Sequence, residues 1–153
     1  MITIKEMAEM LGISTTTVSN VINGKTSEVS QKTAEKVQKL LDEYDYVPNM
    51  NAKNLAQNHS RLIGIVLKRR KDKYENIFTD PFHGELLGAL ESAIREQGYY
   101  MMIYISEDIE EIVRNIVGWN TEGLILIGML HDDYLKIRSK YKKPAVLIDC
   151  QIR

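Results

Sequence analysis

Two short helical patterns separated by a glycine are the feature that most constrains the fold of this chain. Apolar residues recur at helical spacing over residues 4–11 and again over residues 15–22. Gly12, between them, can adopt the positive φ angle of a tight turn, while the small Ala8 and the branched Val18 let two helices cross closely. This spacing suits a helix-turn-helix that presents its second helix to the major groove of DNA, and a structural helical hairpin would satisfy it equally.

Polar residues next to these patterns predict where each helix begins. Thr3 followed three positions later by Glu6 is a capping box, in which each side chain accepts a hydrogen bond from the other residue's backbone amide. Ser14 can cap the second helix, and Ser30 can cap a third helix near residues 31–44. The sequence therefore predicts a three-helix unit at the N-terminus.

The exposed face of the second helix is polar but uncharged. Short donors and acceptors on such a face can reach phosphates and base edges, although an ordinary solvated face remains the alternative. The residues are Thr15, Thr16, Thr17, Ser19 and Asn20. Charge does not strengthen the case, because the net charge is −1 and residues 1–58 hold six lysines against seven acidic residues.

Further residues at fixed spacings extend this pattern to position 49. They are Thr3-Ile4-Lys5-Glu6-Met7-Ala8, Gly12-Ile13-Ser14, Thr17-Val18-Ser19, Val21-Ile22-Asn23-Gly24, Val29-Ser30 and Tyr46-Val47-Pro48-Asn49. The set resembles the headpiece of the LacI family of transcription regulators, and Thr15-Thr16-Thr17 is similar to its purine repressor branch. Many relatives carry arginine where this chain has Asn20. Arginine favours guanine and asparagine favours adenine, so the sequence leaves undecided which operator base this residue contacts.

The resemblance implies a DNA-binding regulator, most often a repressor, that binds a palindromic operator in double-stranded DNA as a homodimer and uses no cofactor. Residues 1–47 would form the headpiece and residues 48–60 a hinge. The residues implied to contact DNA are Thr3, Thr15, Thr16, Thr17, Ser19, Asn20, Asn23, Ser30, Thr33, Tyr46, Asn49, Ala52, Lys53 and Leu55.

The hinge segment is short and polar. Such a segment is marginal as an isolated helix, so we expect a linker in the absence of DNA. The resemblance implies that it folds into a helix on the operator. Leu55 would then enter the minor groove as an apolar wedge, with the small Ala52 behind it.

Residues 61–153 change to alternating strands and helices. Strands are predicted at 62–67, 99–105, 123–127 and 145–149, and helices at 84–97, 107–117 and 131–141. This alternation indicates an α/β fold with a parallel sheet and right-handed crossovers. The predicted fold is thus an all-α helix-turn-helix headpiece followed by a parallel-sheet lobe.

Motifs in this second half resemble the N-terminal lobe of the periplasmic-binding-protein-like domain with which LacI-family repressors sense small molecules. They include Ile63-Gly64-Ile65-Val66, Asp80-Pro81-Phe82 and Gly123-Leu124-Ile125-Leu126. The resemblance implies that the lobe is incomplete here and that the intact protein binds a small-molecule effector of the sugar or nucleobase type. Ligands of such sheets bind beyond the carboxyl ends of the strands. The candidate effector-binding residues are Pro81, Phe82, Gly128, Met129 and Asp149, although Phe82 could equally be a core aromatic.

A basic run at residues 68–73 follows the first predicted strand. A run of this kind is usually a solvated loop. The alternative is a basic lip that attracts an anionic effector or DNA.

Other classes of function find little support in the sequence. The three histidines are scattered, and we find no metal-ligand spacing, phosphate loop or nucleophile elbow, so we expect neither an enzyme nor a metal site. One cysteine, no secretion signal and no apolar run long enough to cross a membrane predict a cytoplasmic protein. The alternative function is a solute-binding or sensor domain without DNA activity.

Overall fold

The backbone divides between Lys53 and Asn54 into two units, Met1–Lys53 and Asn54–Arg153. The structure is a computed structural model that describes residues 1–69 and 76–151. The division falls inside the segment predicted as the hinge.

Three helices form the first unit: α1 (Ile4–Leu11), α2 (Thr15–Ile22) and α3 (Gln31–Glu43). The predicted bounds of the first two are confirmed, and the third ends one residue earlier than predicted. The capping box and both serine caps are present, and Gly12 has a φ of 64°. The helices enclose a small core whose buried members are Met7, Ala8, Val18, Val37 and Leu40.

A fourth helix, α4 (Met50–Gln57), occupies the segment that we expected to be an unfolded linker. The helix lies where the resemblance implies one on the operator, and the expectation of a linker without DNA stays a prediction. Asn49 caps it, because its Oδ1 accepts hydrogen bonds from the backbone amides of Asn51 at 3.0 Å and Ala52 at 3.2 Å.

The second unit is a four-stranded parallel sheet in the order β2-β1-β3-β4, which confirms the predicted α/β fold. The elements in chain order are β1 (Leu62–Lys68), a short 3-10 helix (Ile77–Thr79), α5 (Pro81–Glu96), β2 (Tyr100–Ser106), α6 (Ile109–Gly118), β3 (Gly123–Ile127), α7 (His131–Lys140) and β4 (Ala145–Ile148). Helix α5 begins three residues earlier than predicted, because Asp80 caps it through Phe82 N at 2.9 Å and Pro81 suits the first helical position.

Helices cover both faces of the sheet. Successive strand residues point to opposite faces, so β1 contributes Val66 to one core and Ile65 and Leu67 to the other. The first core contains residues of α6 and α7, and the second contains residues of α5. Within residues 1–69 and 76–151, no helix combines the length and apolarity that a membrane span requires.

Candidate nucleic-acid interface

Helix α2 carries its polar side chains on a rigid support. It packs against α1 and α3, and Val18 is fully buried at that contact. On the opposite side Thr15 and Thr16 are exposed, while Asn20 is half-buried. The predicted reading face is therefore accessible from outside the unit, and its backbone is fixed by the core beneath it.

The residues of this face differ in how many hydrogen bonds they already make. The Thr17 hydroxyl lies 2.8 Å from Ser14 Oγ, and Asn23 Nδ2 donates to Ser19 Oγ at 3.3 Å. In the part of the chain that the structure describes, the side chains of Thr16 and Asn20 make no hydrogen bond within the protein. They can offer their donors and acceptors to a ligand without breaking an internal contact.

Two other predicted contact regions are the first residues of α1 and α3. Ser30 Oγ donates to Thr33 Oγ1 at 2.9 Å, so these two residues form the cap of α3. The Thr3 amide and hydroxyl donate to Glu6 Oε2 at 2.7 and 2.9 Å. These bonds from the Thr3 backbone and then its side chain hold the pKa of Glu6 below its ordinary value. A phosphate at Thr3 would compete with this carboxylate for the same donors.

The remaining predicted contacts lie near and within α4. Tyr46 is half-buried against the headpiece core, and Asn49 supplies the cap of the helix. Ala52 is exposed and Lys53 half-buried. Leu55 is 84% exposed, so its apolar side chain has almost no packing partner in this structure.

The candidate effector residues follow β1, β3 and β4 in the chain, some in loops and two at the start of α5. Pro81 and Phe82 open α5, and Phe82 is 53% exposed with its ring 5.5 Å from that of His83. The alternative that Phe82 is a core aromatic is therefore wrong. Gly128 and Asp149 are exposed, at φ angles of 67° and 49°.

Met129 differs from the other candidates because its side chain is fully buried in the core between the sheet and helices α6 and α7. A ligand at the sheet edge cannot reach this side chain in the structure described. The prediction that the Met129 side chain contacts an effector is therefore corrected, because the fold places this side chain in the core.

Lys68 is a charged residue whose environment the sequence did not indicate. Its Nζ lies 2.9 and 2.8 Å from the two carboxylate oxygens of Asp133, and the Asp133 side chain is only 7% exposed. Lys68 ends β1 and is paired, so the prediction of a solvated loop is wrong for this residue. Residues 70–73 of the same basic run lie outside the described residues.

Comparison with known proteins relates both units to regulators of transcription. Residues 3–49 match the family model described as bacterial regulatory proteins, lacI family. The chain is 31% identical over 152 residues to the HTH-type transcriptional regulator MalR of Streptococcus pneumoniae, covering 96% of this chain and 45% of that protein. It is 34% identical over 155 residues to the HTH-type transcriptional repressor PurR of Vibrio parahaemolyticus, covering 97% of this chain and 44% of that protein.

A solved structure extends the similarity to three dimensions. The Lac repressor dimer bound to operator and the anti-inducer ONPF superposes with a TM-score of 0.81 at 27% identity. That superposition covers 98% of this chain and 45% of the repressor chain. The chain thus spans less than half the length of the curated relatives that it matches.

Proposed function

We propose that this chain is a sequence-specific DNA-binding transcription regulator of the LacI family, whose model matches residues 3–49. It acts as a repressor on a palindromic operator, as a homodimer, in the cytoplasm where the DNA is. A small molecule of the sugar or nucleobase type controls the affinity of the whole protein for its operator.

The observation that carries the proposal is the free polar face of α2. Thr16 and Asn20 project from a helix that Val18 fixes in place, and residues 3–49 match the family over this same unit. Base edges in the major groove are read by short amide and hydroxyl groups held in this way. A domain that only bound solutes would have no use for such a face.

Selection of bound sequences from a random duplex library tests the proposal. We expect recovery of a palindromic consensus with two half-sites, because a two-fold dimer presents two copies of α2. Recovery of unrelated sequences, with no sequence-dependent retardation in a gel, would instead favour a solute-binding or sensor domain.

Asn20→Arg is expected to change the operator rather than abolish binding. If Asn20 faces a base edge, the variant should shift preference toward guanine at one symmetric position per half-site, by about 1–3 kcal/mol. The same selection experiment measures this. Gln38→Arg adds an equal charge on the exposed face of α3 and should leave the consensus unchanged. Identical consensus sequences for wild type and Asn20→Arg would remove this residue from the interface.

Leu55→Ala is expected to weaken specific binding by about 1–3 kcal/mol without lowering stability. The side chain is 84% exposed, so little buried area is lost on truncation, whereas in the complex it would be the wedge that unstacks one base step. Non-specific affinity, which depends on phosphate contacts, should stay close to wild type.

The matched control for Leu55→Ala is Met50→Ala, which truncates another exposed apolar side chain of α4. Fluorescence anisotropy with operator and random duplexes, together with thermal melting, separates the effects. A Leu55→Ala protein that melts early and loses both affinities together would place Leu55 in a core instead of a minor groove.

A further inference from the structure

The turn that follows helix α2 contains the pair Asn23-Gly24, and Asn23 is the only asparagine of the sequence that glycine follows. Asparagine is among the chemically labile residues of proteins. Its side-chain carbonyl carbon, Cγ, can be attacked by the backbone nitrogen of the next residue. Glycine has no Cβ, so its nitrogen is the least hindered in such an attack. This pair is therefore the place where the chain is most prone to modify itself.

Little packing holds this turn closed. Residues 23–28 are all exposed. Asn23 ends a helix of only eight residues, and its Nδ2 donates a long hydrogen bond, of 3.3 Å, to Ser19 Oγ. Gly24 has a φ of 71°, and a Cβ at this position would meet no atom within 4 Å. A turn with so few buried contacts opens by local unfolding more readily than the core beneath it.

Backbone hydrogen bonds oppose the reaction while the turn is closed. Gly24 N donates to Val21 O at 3.1 Å, and Lys25 N donates to Asn20 O at 2.8 Å. An attack on Asn23 Cγ needs the Gly24 nitrogen without its proton and turned toward that carbon, which the bond to Val21 prevents. The reaction therefore proceeds from the open turn, and whatever keeps the turn closed slows it.

We propose that Asn23 is a site of spontaneous deamidation that inactivates the DNA-binding face of free protein and that bound operator protects. Gly24 N forms a bond to Asn23 Cγ, the bond from Cγ to Nδ2 breaks, and the side-chain nitrogen leaves as ammonia with the proton that Gly24 lost. Water then opens the cyclic imide at either C–N bond, which leaves aspartate or isoaspartate. Overall a water is consumed and an ammonia released, with no oxidation or reduction.

This conversion changes the charge of the surface predicted to contact DNA, to which Asn23 belongs. The amide of asparagine can donate a hydrogen bond to a phosphate, whereas a carboxylate only accepts hydrogen bonds and is negatively charged. The phosphates of DNA repel that charge. The inference rests on the proposed operator binding for its consequence, whereas the conversion itself is a property of the free chain.

Mass spectrometry of peptides from the free full chain, aged in mildly alkaline buffer, tests the chemistry. We expect the peptide with Asn23 to gain the small mass that separates a carboxyl group from an amide. It should do so faster than the peptide with Asn51, an exposed asparagine followed by alanine. The chain unfolded in urea should convert faster still, because its turn is always open. Equal rates at Asn23 and Asn51, or equal rates in native and unfolded chain, would overturn the proposal.

Operator protection is measured in the same way. Operator at about ten times its Kd should slow the conversion about tenfold, because only unbound protein opens the turn, and a random duplex at the same concentration should slow it less. An unchanged rate with operator bound would contradict the protection. If wild type shows no sequence-dependent binding, the proposed function fails, while conversion in the free chain still decides whether Asn23 is the modification site.

Asn23→Asp carries the charge of the product from the start. We expect it to bind the selected operator at least about tenfold more weakly than wild type. Gln38→Glu makes the same change of side-chain group on the exposed face of α3 and should bind like wild type. Amide protection over α1 to α3 should be the same in both variants. Equal affinity of the two variants, or loss of protection in Asn23→Asp alone, would overturn the assigned role of this residue.

Discussion

Met7→Ala is expected to unfold the helix-turn-helix unit and abolish sequence-specific binding while the sheet unit stays folded. The Met7 side chain is fully buried, in a core with only five buried members. Removing a buried methionine side chain costs about 2–5 kcal/mol. A unit of this size has little stability to lose, so most of its population should unfold.

Met10→Ala is the matched control, because Met10 lies on the same helix and is 55% exposed. Residue-resolved amide exchange of both variants gives the stability of each unit separately. We expect loss of protection over α1 to α3 in Met7→Ala alone, with β1 and β3 unchanged. Equal behaviour of the two variants would contradict the assignment of Met7 to the centre of the headpiece core.

The headpiece could be predicted almost residue by residue because its signals are local. Thr3 with Glu6, Ser14 and Ser30 mark helix starts within three residues of the amides that they cap, and Gly12 marks a turn by its backbone freedom alone. The start of α5 carried equally local signals in Asp80 and Pro81, which the apolar periodicity alone did not use.

The hinge helix follows from the family resemblance and not from the local signals that mark the headpiece helices. Polarity and length predict a marginal helix, and nothing near residue 59 indicates its contact with residue 122. The same applies to Lys68, whose basic neighbours suggest a solvated loop while its partner Asp133 lies 65 positions away.

For the candidate effector residues, the order of strands and helices predicts their position but not the direction of each side chain. Parallel strands bring the residues after β1, β3 and β4 toward one edge, and this follows from the pattern of elements. Whether a given side chain there points outward depends on the helices packed below. Gly128 is exposed and Met129, the next residue, is fully buried against α6 and α7.

Lys68→Met is expected to destabilise the sheet unit by about 3 kcal/mol, the lower end of what removing one partner of a buried ion pair costs. The substitution keeps much of the side-chain length but leaves the Asp133 carboxylate buried without its ammonium. The cost should sit at the lower end for two reasons. Asp133 lies in the first turn of α7, where the helix dipole favours negative charge, and Lys68 is 28% exposed, so water can reach the pair.

The double variant Lys68→Met with Asp133→Leu tests whether the stability lost in Lys68→Met is lost because the Asp133 carboxylate is left unpaired. Replacing both partners by apolar residues removes the uncompensated carboxylate, so the double variant should recover most of the lost stability. Lys140→Met, at the exposed end of α7, controls for the loss of one positive charge. Urea unfolding of the sheet unit, followed by exchange of β1 and β3 amides, measures all three. Equal stability of Lys68→Met and Lys140→Met would contradict this prediction. It would mean that water, and not Lys68, stabilises the charge of Asp133, and that the ion pair contributes nothing to joining β1 to α7.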